Sequence, residues 1–190
     1  MVIASDIRVG NVLRCDGKIC KVMTQEIRGT GKFGKMVHLK LKSLEDGHTL
    51  EKSFRADDKV EDVAVNFVKM QYLYREETQF IFMNMETYEQ FPIAAKAVGR
   101  HEVFLKENEV IDVLFGEGKL LSIIFPKTAE LKVTSTSPGV KGQSDTTYKE
   151  AVLENGLTVL VPQFVSEGEK IRVNVDDLSY LERVSVRSMS

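Results

Sequence analysis

The sequence predicts an all-β chain built as a series of small barrels, and three observations carry that expectation. Short runs in which apolar and polar residues alternate recur along nearly all of the 190 residues, the period-two mark of half-buried strands. Turn signals such as Asp16-Gly17, Asp46-Gly47 and Gly116-Glu117-Gly118 cut these runs apart, and such residues supply the left-handed backbone that hairpin ends require. Pro92 to Gly99 is the best short helix, with proline near its first turn and glycine after its last.

In residues 1–64, Asn11 to Cys15 and Lys18 to Thr24 flank Asp16-Gly17 and should pair as a hairpin. From Arg28 to Lys42 the chain carries five cationic side chains, Arg28, Lys32, Lys35, Lys40 and Lys42, and no carboxylate. Gly29, Gly31 and Gly34 bracket Lys32, so the backbone there is free to take positive φ and approach another surface closely. Lys32 is expected at the tip of a hairpin end that reaches roughly 13 Å from the barrel wall. In the strand that follows, Val37, Leu39 and Leu41 alternate with His38, Lys40 and Lys42, which places the aliphatics in a core and the basic groups on the wet face. Leu50 to Phe54 resumes the extended pattern, giving four or five strands and a small barrel.

Residues 65–130 begin with Val68, Met70, Tyr72 and Tyr74 in alternation, followed by an aromatic and β-branched strand from Gln79 to Met83. Tyr72, Tyr74, Phe80 and Phe82 are expected in the core. With the hairpin formed by Val110 to Phe115 and Lys119 to Phe125, these strands suit an OB-type barrel. Residues 131–190 repeat the rhythm: Leu157, Val159 and Val161, then Ile171, Val173 and Val175, then a closing strand from Tyr180 to Val186. Gly142 to Thr147 reads as a polar flexible loop.

No run of about 18 apolar residues suggests a transmembrane helix, and the N-terminal residues lack the layout of a signal peptide, so a cytoplasmic protein with no membrane partner is expected. Cys15 and Cys20 are the only cysteines, too few to indicate a metal site, and no nucleophile or phosphate-binding loop points to an enzyme. Net charge is +2 over residues 1–66, −3 over 67–130 and −1 over 131–190. Positive charge is therefore local, which favours a shape-matched contact with nucleic acid over non-specific coating.

Several stretches resemble the elongation factor P family, the bacterial relatives of the hypusine-containing initiation factor of archaea and eukaryotes. Thr30-Gly31-Lys32-Phe33-Gly34-Lys35 before Val37-His38-Leu39 is similar to the hypusine-type loop, and Phe82-Met83-Asn84-Met85-Glu86-Thr87-Tyr88-Glu89-Gln90 resembles the second-domain motif. Pro138-Gly139-Val140-Lys141-Gly142 also fits. Lys149-x-Ala151, Gly156, Val159-x-Val161-Pro162, Val165 and Gly168 match the third-domain spacing, and Tyr180-Leu181-Glu182-Arg183-Val184 resembles the closing strand. The chain departs from the family pattern at Gln143-Ser144, at Glu150, and at the tip, where Thr30-Gly31-Lys32-Phe33 replaces the frequent Pro-Gly-Lys-Gly.

The resemblance implies an SH3-like (KOW) barrel over 1–64 and two OB-fold barrels over 65–130 and 131–190, in an L-shaped, tRNA-like arrangement. It further implies a monomeric translation factor, without cofactor, that binds the ribosome beside the peptidyl-tRNA and relieves stalling at consecutive prolines. Lys32 would be the residue extended by a lysine-modifying enzyme, and Arg28, Gly31, Lys35, Lys40, Lys42, Tyr180 and Arg183 would contact RNA with it. The alternatives are a diverged paralogue and an OB-type RNA-binding protein with no role in peptide transfer.

Overall fold

Strands fall where the apolar alternation falls, in a computed structural model that describes residues 1–30, 34–140 and 147–185. The first sheet contains β1 (Val2–Ile3), β2 (Val12–Cys15), β3 (Lys18–Arg28), β4 (Met36–Ser43), β5 (Thr49–Arg55) and β6 (Lys59–Asp62). It is antiparallel with the order β1-β6-β2-β3-β4-β5. A 3-10 turn at Ala4–Asp6 brings the two ends of the order together, since the Ser5 N–H donates to the Ala56 carbonyl just past β5 at 3.0 Å. Asp16 and Gly17 both take positive φ, 51° and 77°, the type I′ geometry that suits the twist of a tight hairpin.

The barrel closes over Ile7, Leu13, Cys20, Val22, Val37, Leu39, Leu41 and Val60. Both thiols are free and buried there. Burial pushes Cys20 up to about 11 and raises Cys15 as well. A thiol held protonated in a core is a poor nucleophile and a poor ligand, so these two act as small apolar residues.

The second sheet contains β7 (Asn66–Arg75), β8 (Gln79–Asn84), β9 (Gln90–Ala94), β10 (Val110–Gly116) and β11 (Lys119–Ile124), in the order β11-β10-β7-β8-β9. Tyr72 packs between Phe80 and Phe82, with ring centroids 5.9 and 5.3 Å away. Tyr74 departs from expectation and is 42% exposed. The register shifts between Tyr72 and Tyr74, so a β-bulge at Leu73 breaks the alternation and turns Tyr74 outward. The helix also differs: α1 covers only Ala95–Val98, and Pro92 lies within β9. Ile93 points into the core, and β9 is an edge of the sheet order, where a residue without an N–H is tolerated.

The first two sheets share one compact unit, Met1–Ile124. Val12, Ile19 and Val63 pack with Leu114 and Leu121 in a cluster common to both. Above it, the Arg14 guanidinium forks to Glu61 at 3.0 Å and to Glu117 of the β10–β11 turn.

Residues 125–190 form the other unit. Its strands are β12 (Thr128–Thr136), β13 (Tyr148–Leu153), β14 (Thr158–Pro162), β15 (Lys170–Asn174) and β16 (Ser179–Arg183), in the order β14-β13-β12-β15-β16. Leu131, Val133, Leu153, Val159, Val161, Ile171 and Val173 fill it. Lys149 is buried too, and its ammonium donates to the Ser137 carbonyl at 2.6 Å, tying the start of β13 to the end of β12. The polar loop expected over Gly142 to Thr147 lies outside the described residues except for Thr147, as does Val186 of the expected closing strand. Among the described residues, no helix is long and apolar enough to cross a membrane.

The turn after β4 carries a pH-sensitive tie. The Asp46 carboxylate accepts from Lys18 Nζ at 2.8 Å and from the His48 N–H at 3.0 Å. The Lys18 hydrogen bond first, then the His48 N–H and the Ser43 hydroxyl, hold Asp46 well below the usual carboxylate range. A depressed folded pKa gives stability that is present above the unfolded value, about 3.9, and lost as pH falls through that value toward the folded one. Asp46→Asn should therefore melt earlier than the parent protein at pH 7, with the gap narrowing below about pH 4. Melts followed by circular dichroism at pH 7 and pH 3 check this, and an equal gap at both would assign the loss to packing.

Candidate nucleic-acid interface

Arg28, Lys40 and Lys42 of the basic stretch lie on one face of the sheet formed by β3, β4 and β5. A bulge at Met23, where the register shifts between Val22 and Thr24, resets the upper half of β3. Beyond it the cross-strand rows are Thr24, Lys40 and Glu51; then Glu26, His38 and Ser53; then Arg28, Met36 and Arg55. Val37, Leu39 and Leu41 point the other way and are buried. Side chains that pair across strands share a face, so β4's alternation turns every one of these polar groups outward. Together they enclose a groove of about 300 Å³ whose lining includes Thr24, Glu26, Arg28, His38, Lys40 and Ser53.

The charges on this face divide into paired and unpaired. Arg28 Nε meets Glu26 Oε1 at 2.8 Å with both side chains exposed. That contact raises the Arg28 pKa and lowers that of Glu26. Lys52, which pairs across from Leu39 and so lies on the other side of β5, meets Asp16 at 2.6 Å. Among the described residues Lys35, Lys40, Lys42 and Glu51 make no ion pair. A lysine without a carboxylate partner keeps its full charge for an anionic ligand.

His38 has a neighbour that no spacing in the sequence reveals. Its Nδ1 lies 2.7 Å from Ser53 Oγ, and Glu26 stands on the opposite side of the same row. The composition is that of a hydrolase triad, but a triad needs its carboxylate on the imidazole, whereas Glu26 is engaged by Arg28. The row is a set of hydrogen-bonding groups and lacks the orienting contact of a catalytic one. Among the described residues, no three His, Cys, Asp or Glu side chains gather as a metal site.

Where the face ends, the loop begins. Arg28, Met36 and Arg55 form the last row, so the arm is three strands wide to its end instead of a bare two-stranded hairpin. The Ala56 N–H then donates to the Lys35 carbonyl at 2.9 Å and fixes the descending side. Gly29, at φ 111°, faces Gly34, at φ 73°, across the neck, and a Cβ on Gly29 would stand 2.8 Å from the Gly34 carbonyl oxygen. Gly31 and Lys32 lie outside the described residues.

Tyr180 and Arg183 belong to β16 in the other unit. The Arg183 guanidinium sits 4.6 Å from the Phe164 ring centroid and 3.4 Å from Glu169 Oε1. Tyr180 is half-buried, and burial raises its phenol pKa. The structure thus gathers Arg28, Lys40 and Lys42 on the arm, with exposed Lys35 just beyond its last row.

Comparison with known proteins gives matches along most of the chain. Three family models match: an elongation factor P KOW-like domain over residues 3–60, an elongation factor P OB domain over 65–123, and an elongation factor P C-terminal domain over 129–183. An elongation factor P from a Nocardioides species is 40% identical over 185 residues, 97% of this chain and 99% of that one. Another from Coprothermobacter proteolyticus is 38% identical over 187 residues, 97% of this chain and all of that one. Among solved structures, the eukaryotic translation initiation factor 5A from Methanococcus jannaschii matches with a TM-score of 0.53 at 18% identity, covering 65% of this chain and 92% of that one. That likeness shows a shared fold.

The neck predicts an order of severity for two glycine substitutions. Gly34→Ala meets open space and should cost only the left-handed penalty, about 1–2 kcal/mol. Gly29→Ala adds a backbone collision to its own strained φ, and should lose clearly more. Urea unfolding of both variants measures the difference, and equal losses would show that the Gly29–Gly34 approach does not constrain the loop.

Proposed function

The chain belongs to the elongation factor P family of translation factors, and from that membership we propose that it binds the ribosome beside the peptidyl-tRNA and promotes peptide-bond formation at stalling sequences such as consecutive prolines. The observation that carries this reading is the arm itself. A three-stranded platform with its apolar side locked in a barrel presents Lys40 and Lys42, which make no ion pair among the described residues. It leads through exposed Lys35 into the glycine-necked loop that holds Lys32.

The role of such an arm is positioning. Lys32, extended by a lysine-modifying enzyme, contacts the CCA end of the peptidyl-tRNA and holds it for attack by the incoming amine. Fixing reactants in a near-attack geometry supplies several kcal/mol of an accessible range of roughly 7–11. Proline benefits most because its amine is secondary and constrained. Lys35, Lys40 and Lys42 meet RNA phosphates as point charges, which set register without reading sequence. Gly31 lets the tip backbone come close to RNA. Arg28, whose partner Glu26 is solvent-exposed, exchanges that weak surface pair for a phosphate. Tyr180 and Arg183 add RNA contacts from the C-terminal unit.

No cofactor enters this scheme, and the chain works as a cytoplasmic monomer. The family-model matches support domains of 1–64, 65–130 and 131–190.

Lys32→Ala should abolish the factor's effect on a polyproline reporter in a reconstituted translation system while leaving synthesis of a proline-poor control unchanged. Wild-type rescue by this variant would overturn the positioning role and leave a general RNA-binding protein. A mass spectrum of the Lys32 peptide from the native source should show a mass increase, and an unshifted mass would remove the modification without touching the ribosomal role.

A further inference from the structure

Phosphate recognition explains the lysines of the arm but not its carboxylates. Glu51 sits across from Lys40 in the same row of the outward face, and Glu26 one row above. A site that needed only to hold phosphate would be weakened by acidic groups beside its cations, because like charges repel at this separation. The mixture fits a ligand with an anion and a hydrogen-bond donor close together.

We propose that the groove between β3, β4 and β5 is a ribose-selective subsite that takes one ribose-phosphate unit of an RNA backbone. Its phosphate rests on Lys40 Nζ and on the Nε2 edge of His38, and its 2′-hydroxyl donates to the Glu51 carboxylate. The assignment rests on the RNA-contacting reading above and goes beyond it by naming what the stalk recognises.

Three features of the groove carry it. The first is availability: Lys40 and Glu51 are exposed and neither is in an ion pair among the described residues, so binding breaks no bridge between them. The second is orientation. His38 Nδ1 is engaged by Ser53 Oγ at 2.7 Å, which fixes the ring and directs Nε2 to the ligand, as a second partner does for a functional histidine. The third is size. The groove holds about 300 Å³, at the small end of ligand sites, and neighbouring outward positions along a strand are about 6.6 Å apart, a span suited to one sugar and its phosphate. The 2′-hydroxyl both donates and accepts and is the group that distinguishes RNA from DNA. A deoxyribose backbone offers Glu51 no donor, only a repelled phosphate.

The test uses the full chain, labelled with nitrogen-15, titrated with a single-stranded ribohexanucleotide, the deoxy oligomer of the same sequence, and inorganic phosphate. RNA should shift the amides of residues 38, 40, 51 and 53 and bind about tenfold more tightly than DNA, the effect of one charge-assisted hydrogen bond. Glu51→Ala should tighten DNA binding without improving RNA binding and bring the ratio near one. Lys40→Ala should weaken both and preserve the ratio. Ser53→Ala, which frees the imidazole, should weaken RNA binding with the fold intact by amide dispersion. Equal wild-type affinities, an unchanged ratio in Glu51→Ala, no binding of either oligomer, or the same shifts at the same affinity with inorganic phosphate would each overturn the proposal. Co-sedimentation of the same protein with ribosomes separates the two levels. Sedimentation with an RNA-to-DNA ratio of one removes only the groove assignment, whereas failure to sediment removes the functional reading beneath it.

Discussion

Everything on the arm depends on one strand being held by one face. Val37, Leu39 and Leu41 of β4 are buried almost completely in the first barrel, each aliphatic side chain contributing about 1.5–3 kcal/mol of burial. A slip of one residue would bring His38, Lys40 and Lys42 into that core, an exchange of apolar for charged groups that no single polar contact offsets. The alternation thus fixes the direction of the basic groups, with His38 also held by Ser53. Among the described residues Lys40 and Lys42 keep their charged ends out of any ion pair.

The same economy appears at the neck. Strands β3, β4 and β5 end together at the row of Arg28, Met36 and Arg55. The loop starts from a platform that pairing on both sides of β4 makes stiff. Gly29 and Gly34 then let the two sides of the loop approach more closely than side chains allow. Stiffness in the stalk and permissive backbone at the neck are separate devices: one sets where the loop stands, the other how sharply it turns.

Much of this was legible in the letters. The β2–β3 hairpin followed from Asp16-Gly17, and the inward set of β4 followed from strict period two. The alternating runs that end in Val161 and Val175 also find their side chains buried. What stayed hidden is what one strand's letters do not contain. Tyr74 faces outward because a bulge adds Leu73 to β7, and a bulge leaves no mark when the bulged residue is an ordinary leucine. Pro92 carries a helix-start signal, yet Ile93 inside and an edge position outweigh it. The contact between His38 and Ser53, like the facing of Lys40 and Glu51, is a matter of register between strands, and pairing partners are set by the whole sheet. The groove was invisible for that reason, although each of its residues could be read.

The closure of the first barrel bears on when the arm exists at all. Val2 pairs with Val60 and Ile3 with Lys59, and β6 in turn pairs with β2, so the strands that complete the sheet come from opposite ends of the domain. Pairings so distant in sequence require loop closure before they return any stabilisation, and they form late. During synthesis, the segment bearing Lys32 leaves the exit tunnel well before the residues that shut the barrel beneath it. The order in which strands emerge therefore puts the tip sequence outside the ribosome before the platform that carries it can close.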